Sequence, residues 1–116
     1  MITNDYKTQL IIMSGPVRVL SERVMVRGRE ALVKSVMERV VIRVRKQPGF
    51  VRGDVLKDTA RPSLYCVLTE WESMNYLNRW LDEPEYKQML SEMNDILGEP
   101  TRYQIFQRHK DEIFLL

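Results

Sequence analysis

The chain has 116 residues, of which 34 are Val, Ile, Leu or Phe and 29% are charged. That is enough for one folded domain, too apolar for a disordered segment and too short for two independent cores. No apolar run exceeds four residues, as in Leu10–Met13, which excludes a membrane-spanning helix and the apolar stretch of a secretory signal. One cysteine (Cys66) and one histidine (His109) exclude an internal disulfide framework and a Cys/His zinc site within one chain. The lone thiol points to the cytoplasm or another reducing soluble compartment.

The net charge is only +2, but it is unevenly spread. Residues 17–52 carry ten basic and three acidic side chains, whereas residues 53–98 carry four and nine. The basic half lacks the interleaved aromatics and Gly-rich clamps of a nucleic-acid face. Its expected counterpart is therefore the acidic half, in the same chain or in a second copy.

Residues 1–15 read as a leader, 16–110 as the domain and 111–116 as a C-terminal tail. From Val17 to Arg27 apolar and polar residues alternate as in a strand, with a slip at Ser21–Glu22–Arg23 that predicts a bulge or a strand serving two faces. After Gly28 the period changes. Val33, Val36, Met37, Val40, Val41 and Val44 share one helical face, predicting a helix over about 29–47, although the β-branched run Val40–Val44 also suits a strand. Pro48 and Gly49 end it.

Phe50–Lys57 and Ser63–Trp71 read as a hairpin. Leu64, Cys66 and Leu68 alternate with Tyr65, Val67, Thr69 and Trp71, so Cys66 is expected as a small buried group. Ser73 is placed to cap a short helix with Met74, Leu77 and Leu81 on one side and Tyr76 and Trp80 on another. Pro84 opens the next helix, with Tyr86, Met89, Leu90, Met93, Ile96 and Leu97 on one face. Gly98–Pro100 stops it, and Thr101–Arg108 is the last strand.

The order βαββαβ is the split-βαβ, ferredoxin-like arrangement of an α+β fold with an antiparallel sheet. Tyr65, Val67, Trp71, Tyr103 and Ile105 are expected on the sheet face away from the helices. So apolar a face predicts a homodimer in which two sheets close one barrel. The apolar tail Ile113–Leu116 is expected to dock on the partner near its Leu10–Met13 run.

Pro48-Gly49-Phe50 between helix and strand, then Trp71-Glu72-Ser73, Trp80 nine residues later, and Glu83-Pro84-Glu85-Tyr86 together resemble the antibiotic biosynthesis monooxygenase (ABM) domain. The resemblance covers about residues 17–109 and implies a dimeric α+β barrel. The family includes cofactor-independent monooxygenases of polycyclic phenols, quinol oxygenases and haem-degrading enzymes, so the fold does not fix the reaction. The haem-degrading branch carries an asparagine where this chain has Glu22, and a histidine where it has Leu90, ten residues after Trp80. The resemblance therefore points away from haem degradation.

What it implies instead is oxidation of an aromatic or quinol-like molecule without metal or organic cofactor. Dioxygen reacts slowly with closed-shell organics, so the substrate must become an electron-rich anion in a dry, apolar pocket. Glu22, if burial raises its pKa, is the candidate base; Arg23 is the candidate anion stabiliser and Trp80 an oriented donor and stacking surface. Phe50, Tyr76, Tyr86 and Leu90 are the candidate substrate contacts. Plainer readings stand beside these: Glu22 as a solvated ion-pair partner, Trp80, Tyr86 and Leu90 as packing, His109 as a strand-end residue. The alternative function is a non-catalytic dimeric barrel that binds a small hydrophobic ligand or serves as an assembly module. Convergence of Glu22 and Trp80 on a cavity of roughly 300 Å³ or more would favour the enzyme.

Overall fold

The computed structural model describes residues 15–107. The leader, His109 and the tail lie outside the described residues.

Seven elements follow in the expected order: β1 (Val17–Val24), α1 (Glu30–Val44), β2 (Phe50–Lys57), β3 (Leu64–Trp71), α2 (Met74–Leu81), α3 (Pro84–Leu97) and β4 (Arg102–Gln107). The four strands form one antiparallel sheet in the order β2-β3-β1-β4. The fold is the α+β ferredoxin-like one.

The helix ends follow from local chemistry. Ser73 Oγ accepts a hydrogen bond from the backbone N–H of Tyr76 and starts α2, and Pro84 occupies the first turn of α3. Gly98, at φ +73°, closes α3 in the left-handed conformation, and Asn94 Oδ1 then accepts from the Thr101 backbone and hydroxyl. Gly49 has a stricter role. Its φ is +81°, and a Cβ there would clash with the Tyr76 ring.

Val33, Val36 and Val44 of α1 are buried, with Met37 and Val40 packed against them, as the 3.6-residue period requires. Tertiary packing overrides the β-branched preference of this segment. The uneven charge is resolved within the chain. Arg39 pairs with Glu92 at 2.7 Å, Arg43 with Glu85, and Arg18 with Glu70 at 3.0 Å, each joining the basic half to the acidic half.

The sheet faces are the reverse of those expected. Register places Val17, Val19, Ser21 and Arg23 of β1 opposite Trp71, Thr69, Val67 and Tyr65 of β3, and Trp71 is 1% exposed within the core shared with α2 and α3. Tyr65, Val67, Trp71, Tyr103 and Ile105 therefore lie on the helix side of the sheet. The far side carries Leu20, Leu56, Cys66, Leu68 and Phe106, with the Arg18–Glu70 pair among them. Two of these, Leu56 and Phe106, are about half exposed. Period-2 alternation identifies two faces but does not say which one the helices cover, and the larger aromatic residues mark the covered one.

Two local expectations also change. β1 pairs without a break from Val17 to Val24, and the register shift lies in β2, between Phe50 and Arg52. Cys66 is only partly buried, on the far face opposite Glu22; burial first, then the Glu22 and Asp58 carboxylates, raises its thiol pKa.

Candidate active site

The covered face of the sheet is only partly filled by helices. Between it and α1 lies a cavity of about 600 Å³, open toward the exposed strand β2. β1 contributes Val19, Ser21 and Arg23, β3 contributes Val67 and Thr69, and α1 contributes Met37, Val40, Val41 and Val44. Phe50, Leu77, Trp80, Tyr86 and Tyr103 close the remaining sides.

Phe50, Trp80 and Tyr86 of that lining belong to a run of aromatic rings that passes through the core residue Trp71. Phe50 meets Trp71 edge-on at 5.4 Å between centroids, Trp71 stacks on Trp80 at 6.3 Å, and Trp80 lies 4.4 Å from Tyr86. Such contacts stabilise the wall by roughly 0.5–1.5 kcal/mol each beyond burial. The run ends in a polar contact: the hydroxyls of Tyr86 and Tyr103 are 2.6 Å apart. Burial, reinforced by Tyr103, pushes the Tyr86 hydroxyl well above the ordinary tyrosine range, while the nearby Arg23 guanidinium opposes that shift. Tyr86 is thus held as a neutral phenol.

Ser21 and Arg23 form the polar floor. Ser21, 6% exposed, donates to the Val67 carbonyl at 3.4 Å, and its Oγ accepts from Arg23 Nη1 at 3.3 Å. Arg23 Nε is buried and has no hydrogen-bond partner among the described residues. A buried guanidinium N–H without an acceptor is costly for the fold.

Of the residues singled out from the sequence, Arg23, Phe50, Trp80 and Tyr86 line this cavity. Glu22 does not. As the neighbour of Ser21 and Arg23 in an unbroken strand it points to the other side of the sheet, opposite Cys66 and Arg102, and borders a separate recess of about 210 Å³. The expected convergence of Glu22 and Trp80 is therefore not found. Tyr76 packs over Gly49 and lies 5.6 Å from the Arg79 guanidinium, outside the cavity. Leu90 is packed against the core on α3, also outside it.

Ser21 and Tyr103 were not singled out as site residues from the sequence. Ser21 did leave a signal. Val17, Val19, Ser21 and Arg23 hold one unbroken face of β1, so the apparent slip in alternation is a polar patch set into an otherwise apolar side of the sheet.

The chain is a ferredoxin-like α+β domain with an aromatic-walled cavity beneath its helices. Residues 25–92, more than half of the chain, match the antibiotic biosynthesis monooxygenase family, and the chain belongs to that family. Among curated proteins none matches it in sequence. The fold is similar to that of SnoaB, a cofactor-independent oxygenase from Streptomyces nogalater, with TM-score 0.71, 21% identity, and coverage of 84% of this chain and 96% of that one. A conserved protein from Methanosarcina mazei superposes with TM-score 0.76 at 14% identity, covering 85% and 98% of the two chains. Rv0793 from Mycobacterium tuberculosis gives TM-score 0.73 at 12% identity, covering 84% and 98%. At these identities the likeness is one of fold.

Proposed function

We propose that this chain is a small oxygenase that converts an aromatic or quinol-like anion in the cavity beneath α1, without a metal or organic cofactor. The observation that carries this reading is an aromatic-walled cavity of about 600 Å³ with Arg23 in its lining. Family membership and the similar fold of SnoaB support the reaction class.

The chemistry follows from what the residues offer. A phenol lying against Trp80 and Tyr86 presents its oxygen to Arg23, whose fixed positive charge favours the phenolate over the phenol. The proton leaves to solvent through the open side along β2. The anion gives one electron to dioxygen, the resulting radical and superoxide combine at a ring carbon bearing hydrogen, and the peroxide anion takes a proton back from solvent to form a hydroperoxide. Loss of water leaves a quinone carbonyl, so one oxygen atom enters the product and the other enters water. The apolar walls Val19, Val40 and Val44 limit solvent at the reacting carbon.

The test is oxygen consumption with a panel of phenols and hydroquinones. Uptake above the protein-free rate, reduced at least tenfold in Arg23→Met, is the expected result. No uptake with any member overturns the proposal. One observation favours a second reading, a barrel that binds a small hydrophobic ligand or serves in assembly without catalysis: Glu22, the candidate base, lies on the far face. Tight anaerobic binding without oxygen uptake would select it.

A homodimer through the far sheet face belongs to the same proposal. Leu20, Leu56, Leu68 and Phe106 supply its apolar area, in place of the aromatic residues first expected there.

A further inference from the structure

A second cavity, of about 590 Å³, adjoins the first. The two share Arg23, Met37, Val41, Val55 and Val67 as a common wall, so they form two lobes of one trough with the guanidinium at their junction. Their wall chemistry differs. The first lobe presents flat aromatic faces, which favour a ring. The second is lined mainly by aliphatic and thioether side chains such as Met25, Val33 and Ile42, with Tyr65 as its one aromatic ring and Glu30, Lys34 and Glu38 at its border. Thioethers adapt to a flexible chain better than to a rigid plane.

We propose that the ligand is an amphiphilic ring compound whose ionisable oxygen meets Arg23, whose ring lies in the aromatic lobe, and whose unbranched hydrocarbon tail runs into the second lobe. This rests on the function proposed above and narrows its substrate class. The geometry sets where the tail is attached. Because Arg23 lines both lobes, a chain on the carbon next to the ionised oxygen reaches the second lobe. The second lobe offers the tail no other buried cation, so the tail carries no second anionic group.

The test uses 2-alkylhydroquinones with methyl, pentyl and heptyl chains. Binding is followed without oxygen by quenching of tryptophan fluorescence, because Trp80 lines the first lobe. Each methylene that enters the lobe should lower Kd about fourfold. Ile42→Trp, at a position 57% exposed, narrows the second lobe and should flatten this dependence; a melting curve verifies that the variant is folded. Equal Kd values for methyl and heptyl compounds would overturn the proposal, as would an unaltered dependence in Ile42→Trp. Oxygen uptake with the methyl compound is measured separately. Chain-length-dependent binding without uptake refutes the oxygenase and leaves the two-lobed ligand standing, whereas uptake without chain-length dependence does the reverse.

Discussion

Arg23→Met separates a binding role for the guanidinium from a structural one, because the two roles predict opposite signs. Methionine keeps the apolar stem and removes the buried Nε–H that has no partner among the described residues. What the fold loses is one long hydrogen bond, Nη1 to Ser21 Oγ at 3.3 Å. What it gains is release from an unsatisfied buried donor, an effect of about 1–3 kcal/mol. The long bond and the partial exposure of the side chain place the net gain at the low end, near ~1 kcal/mol. In a domain of this size that raises Tm by about 4 °C. Ligand binding should move the other way. A hydrogen bond to a charged group contributes about 1.5–3 kcal/mol, so affinity for hydroquinone should fall roughly tenfold to a hundredfold. The assays are calorimetric melting of the free protein and anaerobic fluorescence titration. A lower Tm combined with unchanged affinity would refute the reasoning and make Arg23 a structural residue.

Gly49→Ala should destabilise by roughly 2–4 kcal/mol, since it adds a left-handed penalty to a clash with the Tyr76 ring. In chemical denaturation Tyr76→Ala should restore part of that loss, and simple additivity would show that the two residues are not in contact. Tyr86→Phe should cost about 1–2 kcal/mol by leaving the Tyr103 hydroxyl without its partner, while the double change to Phe should cost less than the two single ones added. The raised pKa of Tyr86 also sets a pH dependence: above the ordinary value of 10.0 the unfolded chain loses a proton that the folded one retains. Stability is therefore full below pH 10 and falls above it, by up to 1.36 kcal/mol per pH unit, and Tyr86→Phe should remove one proton's worth of that slope. Sedimentation at micromolar concentration should give twice the chain mass, and Leu68→Glu on the far sheet face should reduce it to one; a monomeric parent chain would refute the barrel.

The order of elements was readable because each depends on neighbours in the chain: valines at 3.6-residue spacing in α1, Ser73 and Pro84 at helix starts, Gly49 and Gly98 at helix ends. The side of the sheet that the helices cover was not. Trp71 and Leu68 both lie on apolar faces of β3, and only packing against Leu77, Trp80 and Met93 decides which becomes core. That single binary choice propagated into the site. With the faces reversed, Tyr103 moves from the outer surface to within hydrogen-bonding distance of Tyr86, and Glu22 moves away from Trp80.

The polar interruption of β1 shows how a site can be recognised before its ligand is known. Ser21 and Arg23 continue the inward-facing row begun by Val17 and Val19, positions that a sheet built only for stability would fill with apolar side chains. Ser21 can be satisfied inside the protein, and is, by the Val67 carbonyl. Arg23 is not, because Ser21 takes one of its five N–H donors and Nε, enclosed by protein, has no partner among the described residues. A carboxylate at either neighbouring position would have neutralised it internally. Its register neighbours on that face are Tyr65 on one side and Ser21 along the strand, neither of them an anion. The strand therefore carries a positive charge on the sheet's inner face with no anion beside it in the register, next to an aromatic wall of the cavity.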